Sequence, residues 1–312
     1  MQSHARRRWG ALLLIAIALL ACPTTKVAAA TPIRHHRHTA HSIHAGRAHG
    51  GRRRHGHRAF ARRGPVGVVY ARNAIVVDPT TDEVLFQKDS SRTVPIASLT
   101  KLMTALVFLE QKPDLDRQVE VTRADLSGAG HTRLRNGEQV ALGDLLHMSL
   151  MSSDNCATRV LARNAGLSGD DFVARMNTEA TALGMRNTRY VEPTGLDEHN
   201  VSTAADIARV LRAAGEQPLI HRVTTTPTYL FTSEWRNRPV LHEVHSTDRL
   251  LKSSRYEIAC GKTGFINEAG YCFAAWLRTG GRNLIAVVLG APTAATRFAD
   301  VVRLVQHTET LN

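Results

Sequence analysis

The chain reads as a mixed α/β protein of the α+β kind: an antiparallel sheet flanked by helices, with an all-helical lobe inserted between two groups of strands. Three observations predict it. Strand-like runs rich in Val, Ile and Phe open the globular part, and three more fill its last third. Between them, apolar residues recur at helical rather than alternating spacing. An amphipathic stretch over about 295–308 closes the chain.

The elements follow in order. Ala74-Ile75-Val76-Val77-Asp78 and Glu83-Val84-Leu85-Phe86 flank the turn-forming Pro79-Thr80-Thr81-Asp82, which predicts a hairpin. After Ile96-Ala97-Ser98, a helical run passes through Leu102, Met103, Leu106, Val107 and Leu109 and ends near Pro113. Residues 142–151 and 156–165 read as two helices broken at Ser152-Ser153-Asp154-Asn155. Further helices cover 170–183, stopped by Gly184, and 203–214. Strands at about 255–265, 270–278 and 283–290 are separated by Gly or Asn turns. No internal repeat and no long linker follows residue 64.

An ordinary core is within reach of 312 residues that are 43% hydrophobic. The net charge of +13 looks like that of a nucleic-acid-binding protein, but its position argues against that class. Residues 1–63 hold thirteen Lys or Arg and no acidic residue, which leaves 64–312 with 27 of each sign. A nucleic-acid-binding domain would carry its charge on a folded face, so no nucleic-acid partner is expected.

Arg6, Arg7 and Arg8 precede a short apolar stretch, Ala11 to Ala21, and Ala28-Ala29-Ala30 offers a cleavage site. Residues 1–30 therefore read as an export signal, too short in its apolar part to span a bilayer, and the expected location is the periplasm. Leu19-Leu20-Ala21-Cys22 also resembles a lipoprotein box, so a lipid-anchored form is the alternative; Pro23 favours cleavage near Ala30. Residues 31–63 are crowded with His, Arg and Gly without apolar periodicity, and read as a disordered basic linker. Its eight histidines lack cysteine or fixed spacing, so no built metal site is expected. The linker offers electrostatic association with anionic envelope polymers. The folded catalytic domain is then 64–312.

Three cysteines remain after cleavage, an odd number that argues against a disulfide-framed scaffold. Cys260 and Cys272 flank a hairpin and could pair in an oxidising compartment. Cys156 reads as a small buried residue.

Three segments carry chemistry. Ser98-Leu99-Thr100-Lys101 places a hydroxyl and an amine on one face of a starting helix, where a desolvated amine can take the hydroxyl proton. Alone it is weak, since a capping Ser before a helix looks the same. The chain, however, uses only six lysines against thirty-four arginines, so Lys101 marks a place where an amine able to lose its proton matters. Ser153-Asp154-Asn155, at the break between two helices, can present a hydroxyl and an amide side by side, or simply cap a helix. Lys262-Thr263-Gly264, on a strand after Gly261, joins a cation and a hydroxyl that can clamp a carboxylate. The three occur once each and in one order, at a helix start, a lobe loop and a strand.

That ordered set resembles the low-molecular-mass penicillin-binding proteins, the serine D-Ala-D-Ala peptidases. The likeness extends over about 70–305, through Pro95-Ile96-Ala97-Ser98-Leu99-Thr100-Lys101-Leu102-Met103-Thr104-Ala105, Thr132-Arg133-Leu134-Arg135 and Gly261-Lys262-Thr263-Gly264-Phe265. Val191-Glu192-Pro193-Thr194-Gly195-Leu196 and Gly264-Phe265-Ile266-Asn267-Glu268-Ala269-Gly270 look most like the type-7 branch, the D-alanyl-D-alanine endopeptidases. The resemblance implies a DD-peptidase/β-lactamase-like fold, peptidoglycan stem peptides as substrate and β-lactam antibiotics as covalent inhibitors. It implies no metal and no organic cofactor.

It also implies roles. Ser98 would be the acylated nucleophile, Lys101 its base, and Ser153 the proton shuttle to the leaving amine. Asn155 would position the substrate amide, and Lys262 and Thr263 would bind the carboxylate beside the scissile bond. The N–H groups of Ser98 and Phe265, beside Gly264, would form the oxyanion hole. A D-Ala-D-Ala terminus and a D-Ala–diaminopimelate cross-link suit this clamp equally. Some fifty residues follow Lys262, where the carboxypeptidase branch commonly adds a second β-rich domain, so the endopeptidase is favoured. The rival of another class is a non-catalytic peptidoglycan receptor. Glu192 lacks the β-lactamase setting, and His242-Glu243-Val244-His245 lacks the H-E-x-x-H zinc spacing and reads as a surface strand or loop.

Overall fold

A computed structural model describes residues 68–309; the residues expected to form an export signal (1–30) and a basic linker (31–63) lie outside the described residues. The described chain opens with β1 (Asn73–Val77) and β2 (Val84–Lys88), the expected hairpin, then a short β3 (Val94–Pro95). A 3-10 turn, Ala97–Leu99, leads into α1 (Thr100–Glu110). The inserted segment holds β4 (Gln118–Glu120), α2 (Arg123–Leu126), β5 (Gln139–Ala141), α3 (Leu142–Met151), α4 (Asn155–Arg163) and α5 (Gly169–Ala182). It continues through β6 (Val201–Ser202), α6 (Ala204–Glu216) and α7 (Pro218–Thr224). A long hairpin, β7 (Thr228–Trp235) and β8 (Arg238–His245), precedes β9 (Glu257–Ile266), β10 (Gly270–Thr279), β11 (Arg282–Ala291) and α8 (Ala294–Glu309).

The main sheet is antiparallel in the order β2-β1-β11-β10-β9. Its central strands are apolar on both sides because both sides are covered. Leu284, Ala286 and Val288 of β11 join Phe273, Ala275 and Leu277 of β10 in a core against Phe298, Val301 and Leu304 of α8. Ile285, Val287 and Leu289, one residue out of phase, face the larger core shared with the helices. Each such side chain contributes roughly 1.5–3 kcal/mol by leaving water, enough to hold register against a one-residue slip. At one edge of the sheet, β9 pairs with β10 alone. β9 also packs against the Ala97–Leu99 turn.

The inserted lobe is not purely helical. It shares a second, four-stranded sheet, β4-β5-β7-β8, with the β7–β8 hairpin. His242-Glu243-Val244-His245 ends that hairpin, and His242 is buried rather than on the surface. Its Nε2 lies 2.7 Å from Glu138 Oε1, which also accepts from Ser233 Oγ at 2.6 Å. Hydrogen bonds from His242 and Ser233 hold the Glu138 carboxyl below the usual carboxylate range against the opposing effect of burial.

The disulfide considered between Cys260 and Cys272 is not made. Cys260 stands opposite Trp276 and Cys272 opposite Gly264, four register positions apart on the same ladder. All three described cysteines are buried free thiols, and burial pushes Cys156 and Cys260 up to about 12 and Cys272 to about 11. An aromatic disulfide reagent should therefore leave these three untouched in native protein and react on unfolding. Fast native labelling of any of them would contradict the packing.

Candidate active site

Ala97 adopts φ 50°, a left-handed conformation uncommon for a residue with a Cβ. The turn it makes sets Ser98 just ahead of α1, with the Thr100 hydroxyl donating to Ala97 O at 2.8 Å. Lys101, one turn along, is fully buried. Its Nζ donates to Ser98 Oγ at 3.0 Å, Asn155 Oδ1 at 2.6 Å and the Thr194 carbonyl at 2.6 Å. Three acceptors use all three ammonium positions.

The loop between α3 and α4 serves both readings of its sequence. Asp154 caps α4, its Oδ1 accepting from Ala157 N at 2.9 Å. Ser153 before it is held at φ 63°, the kind of local strain that collects at functional sites. Asn155 begins α4 and is engaged at both ends, since its Nδ2 donates to Ala129 O at 2.8 Å. This amide therefore orients Lys101 directly.

On β9, Lys262 is buried and donates to Ser153 Oγ at 2.8 Å. The Thr263 hydroxyl lies 2.7 Å from Thr247 Oγ1. A Cβ on Gly264 would sit 3.1 Å from both Ser98 N and Ile96 O, so glycine lets the strand press against the Ser98 turn. Phe265 follows, 46% exposed and stacked on Tyr271 with centroids 4.3 Å apart. Ser98, Lys101 and Asn155 thus form one hydrogen-bonded group, Ser153 and Lys262 an adjoining one, and Gly264 abuts the first. The structure brings Ser98, Lys101, Ser153, Asn155, Lys262 and Gly264 together, with Thr263 and Phe265 next to them along β9.

Two features have a role that the sequence does not show. The first is the Glu192-Pro193-Thr194-Gly195-Leu196 turn. Its Glu192 carboxylate accepts from Thr194 N at 2.7 Å, Thr194 Oγ1 at 2.6 Å and Gly195 N, and from Asn200 Nδ2 at 3.0 Å. That network aims the Thr194 carbonyl at Lys101. The second is Arg297 of α8, whose Nη1 donates to Gly264 O at 3.2 Å behind the edge strand.

Burial is the largest influence on both lysines. It lowers Lys101 to about 7 although Glu192 and Asp154 pull the other way, with Arg159 adding a smaller push down. Burial, then the charges of Lys101 and Arg297, also holds Lys262 well below an ordinary amine. An amine that is about half neutral near pH 7, hydrogen-bonded to a hydroxyl at a helix start, is equipped to make that hydroxyl a nucleophile.

Comparison with known proteins agrees with this chemistry. A peptidase family model described as D-alanyl-D-alanine carboxypeptidase matches residues 60–293. The D-alanyl-D-alanine endopeptidase of Pseudomonas aeruginosa is 41% identical over 240 residues, 76% of this chain and 77% of that one. Its Escherichia coli counterpart is 35% identical over the same shares. Among solved structures, a Streptomyces DD-transpeptidase superposes with a TM-score of 0.73 at 26% identity, covering 78% of this chain and 98% of its own. A Listeria monocytogenes penicillin-binding protein in its cefotaxime-bound form gives 0.66 at 30% identity, covering 79% and 100%.

Proposed function

This chain belongs to the D-alanyl-D-alanine carboxypeptidase family of serine peptidases, and from that premise we propose that it is an exported endopeptidase cutting D-Ala–diaminopimelate cross-links of peptidoglycan. The observation that carries the reading is the Ser98–Lys101 hydrogen bond inside a group that also joins the Ser153 and Lys262 segments. Two relatives named as endopeptidases support the choice of bond over a D-Ala-D-Ala carboxypeptidase. The export signal read in residues 1–30 supports a periplasmic location; no helix among the described residues is long and apolar enough to cross a membrane.

The proposed reaction runs through an acyl-enzyme. Ser98 Oγ attacks the D-Ala carbonyl carbon while neutral Lys101 Nζ accepts the hydroxyl proton. The resulting oxyanion lies between the N–H groups of Ser98 and Phe265, each such donor being worth about 3 kcal/mol of barrier. Collapse breaks the C–N bond, and Ser153, hydrogen-bonded to Lys262, relays the proton held by Lys101 to the leaving amine, so that Lys101 is neutral again. Lys262 and Thr263 hold the carboxylate beside that amine. Water then attacks the ester as neutral Lys101 takes its proton, and on collapse that proton returns to Ser98 Oγ, which leaves as the free hydroxyl. A β-lactam enters by the same attack and stays as a stable ester, which accounts for its expected role as covalent inhibitor.

Ser98→Ala tests the reading. Wild type should acquire a covalent fluorescent-penicillin label and convert cross-linked muropeptide dimers to monomers, and the variant should do neither. A wild type that takes no label and leaves dimers intact would instead be a peptidoglycan receptor.

A further inference from the structure

Beside the Ser153 turn lies a second cavity, of about 210 Å³, that the proposed reaction does not use. Its floor includes Ser152 and Asp154, the residues on either side of Ser153. One wall is the 131–133 loop, which Asn155 ties to the site two residues earlier through Ala129 O. The other is the outer edge of β8 at Glu243 and His245. From there the chain runs through Ser246 to Thr247, which bonds both Met151 O and the Thr263 hydroxyl. Every wall is thus within a few residues of a segment that carries a site residue.

Its lining holds one guanidinium, Arg133, beside the Asp154 and Glu243 carboxylates, and the guanidinium is the group left with free donors. Arg133 is exposed, donates one nitrogen to the neutral Glu243 carbonyl at 3.2 Å, and pairs with no carboxylate among the described residues. His131 stands exposed on the same loop. The Asp154 carboxylate is committed to capping α4, and Glu243 lies 3.5 Å from His245 Nε2. The rim therefore offers a guanidinium fork with donors to spare, the group best matched to a carboxylate. The clamp of Lys262 and Thr263 is a separate place, since neither residue lines the cavity.

We propose that this cavity is a subsite for a free carboxylate on a side branch of the stem peptide, held by Arg133 with His131. The inference rests on the reading above that stem peptides are the substrate. It makes the enzyme discriminate between acid and amide forms of otherwise identical muropeptides. Two carboxylates of a stem peptide have this chemistry, the one on the D-glutamyl residue and the free one on the diamino acid.

Defined dimers in which each of these is amidated in turn separate the two sources. Wild type should show about a tenfold higher KM for one amidated dimer, with kcat retained. Arg133→Gln should raise KM about tenfold for the acid dimer and leave that amidated dimer unchanged, while Arg133→Lys recovers part of the loss. Acylation by benzylpenicillin, whose single carboxylate answers to the Lys262 clamp, reports that the catalytic group is intact. The subsite is overturned if neither amide changes KM, or if Arg133→Gln affects acid and amide forms equally. Uncross-linked pentapeptides carrying the same acid and amide pairs are measured in parallel. Should wild type cleave only those, the endopeptidase reading falls while their KM contrast still decides the subsite.

Discussion

Lys101→Arg is expected to slow acylation by penicillin between about 10²- and 10⁴-fold, the range a positioned general base supplies. The substitution keeps a cation and three or more donors for Ser98, Asn155 and Thr194, yet a guanidinium does not give up its proton in water's range. Because Lys101 is wholly buried, the added bulk of Arg could itself disturb the cleft. Lys101→Met, closer in length and without a base, should fail to the same degree, which separates the missing amine from any misfit. The same cause fixes a pH dependence. With Lys101 lowered to about 7 by burial, the wild-type acylation rate should fall about tenfold per pH unit below that point and level off above it. Stopped-flow acylation against pH checks both. A Lys101→Arg rate near wild type, or a wild-type rate flat across the acid limb, would take Lys101 out of its assigned role.

Much of this cleft is legible in the sequence, and the part that is not has a physical reason. The helices predicted at 142–151, 156–165 and 170–183 appear as Leu142–Met151, Asn155–Arg163 and Gly169–Ala182, since apolar periodicity and caps agree there. The β7–β8 hairpin went unread because its inward positions are not all apolar. Ser233 and His242 point into the protein toward Glu138, so the alternation that marks a strand is broken by a buried polar group. Glu192 belongs to a segment that resembles the family and lacks a β-lactamase setting, and neither observation reveals that its carboxylate works locally, ordering a turn. What that turn gives Lys101 is a main-chain carbonyl, and no residue type announces one. The rarity of lysine, by contrast, singles out Lys101, and that amine is buried against the Ser98 hydroxyl.

Gly195→Ala is expected to cost about 2–5 kcal/mol of stability and to impair acylation as well, although residue 195 takes no part in the reaction. Two effects combine. Gly195 sits at φ 82°, a conformation that costs an alanine roughly 1–2 kcal/mol. In addition, an added Cβ would lie 1.9 Å from Ala97 O and 2.9 Å from Thr100 Oγ1, atoms of the nucleophile turn itself. Neither can yield easily, because Ala97 is already left-handed and Thr100 is bonded to both Ala97 O and Asn200. The 192–196 turn must then lift away, drawing the Thr194 carbonyl off Lys101 and freeing the amine from the position that sets it on Ser98. Gly137→Ala is the matched control, with φ 79° and nothing within 4 Å of its added Cβ. It should show the backbone cost alone, about 1–2 kcal/mol, with acylation unchanged. Denaturant unfolding and penicillin acylation on the two variants measure the contrast. Equal losses of stability, with Gly195→Ala acylating at the wild-type rate, would mean that the turn does not hold the nucleophile.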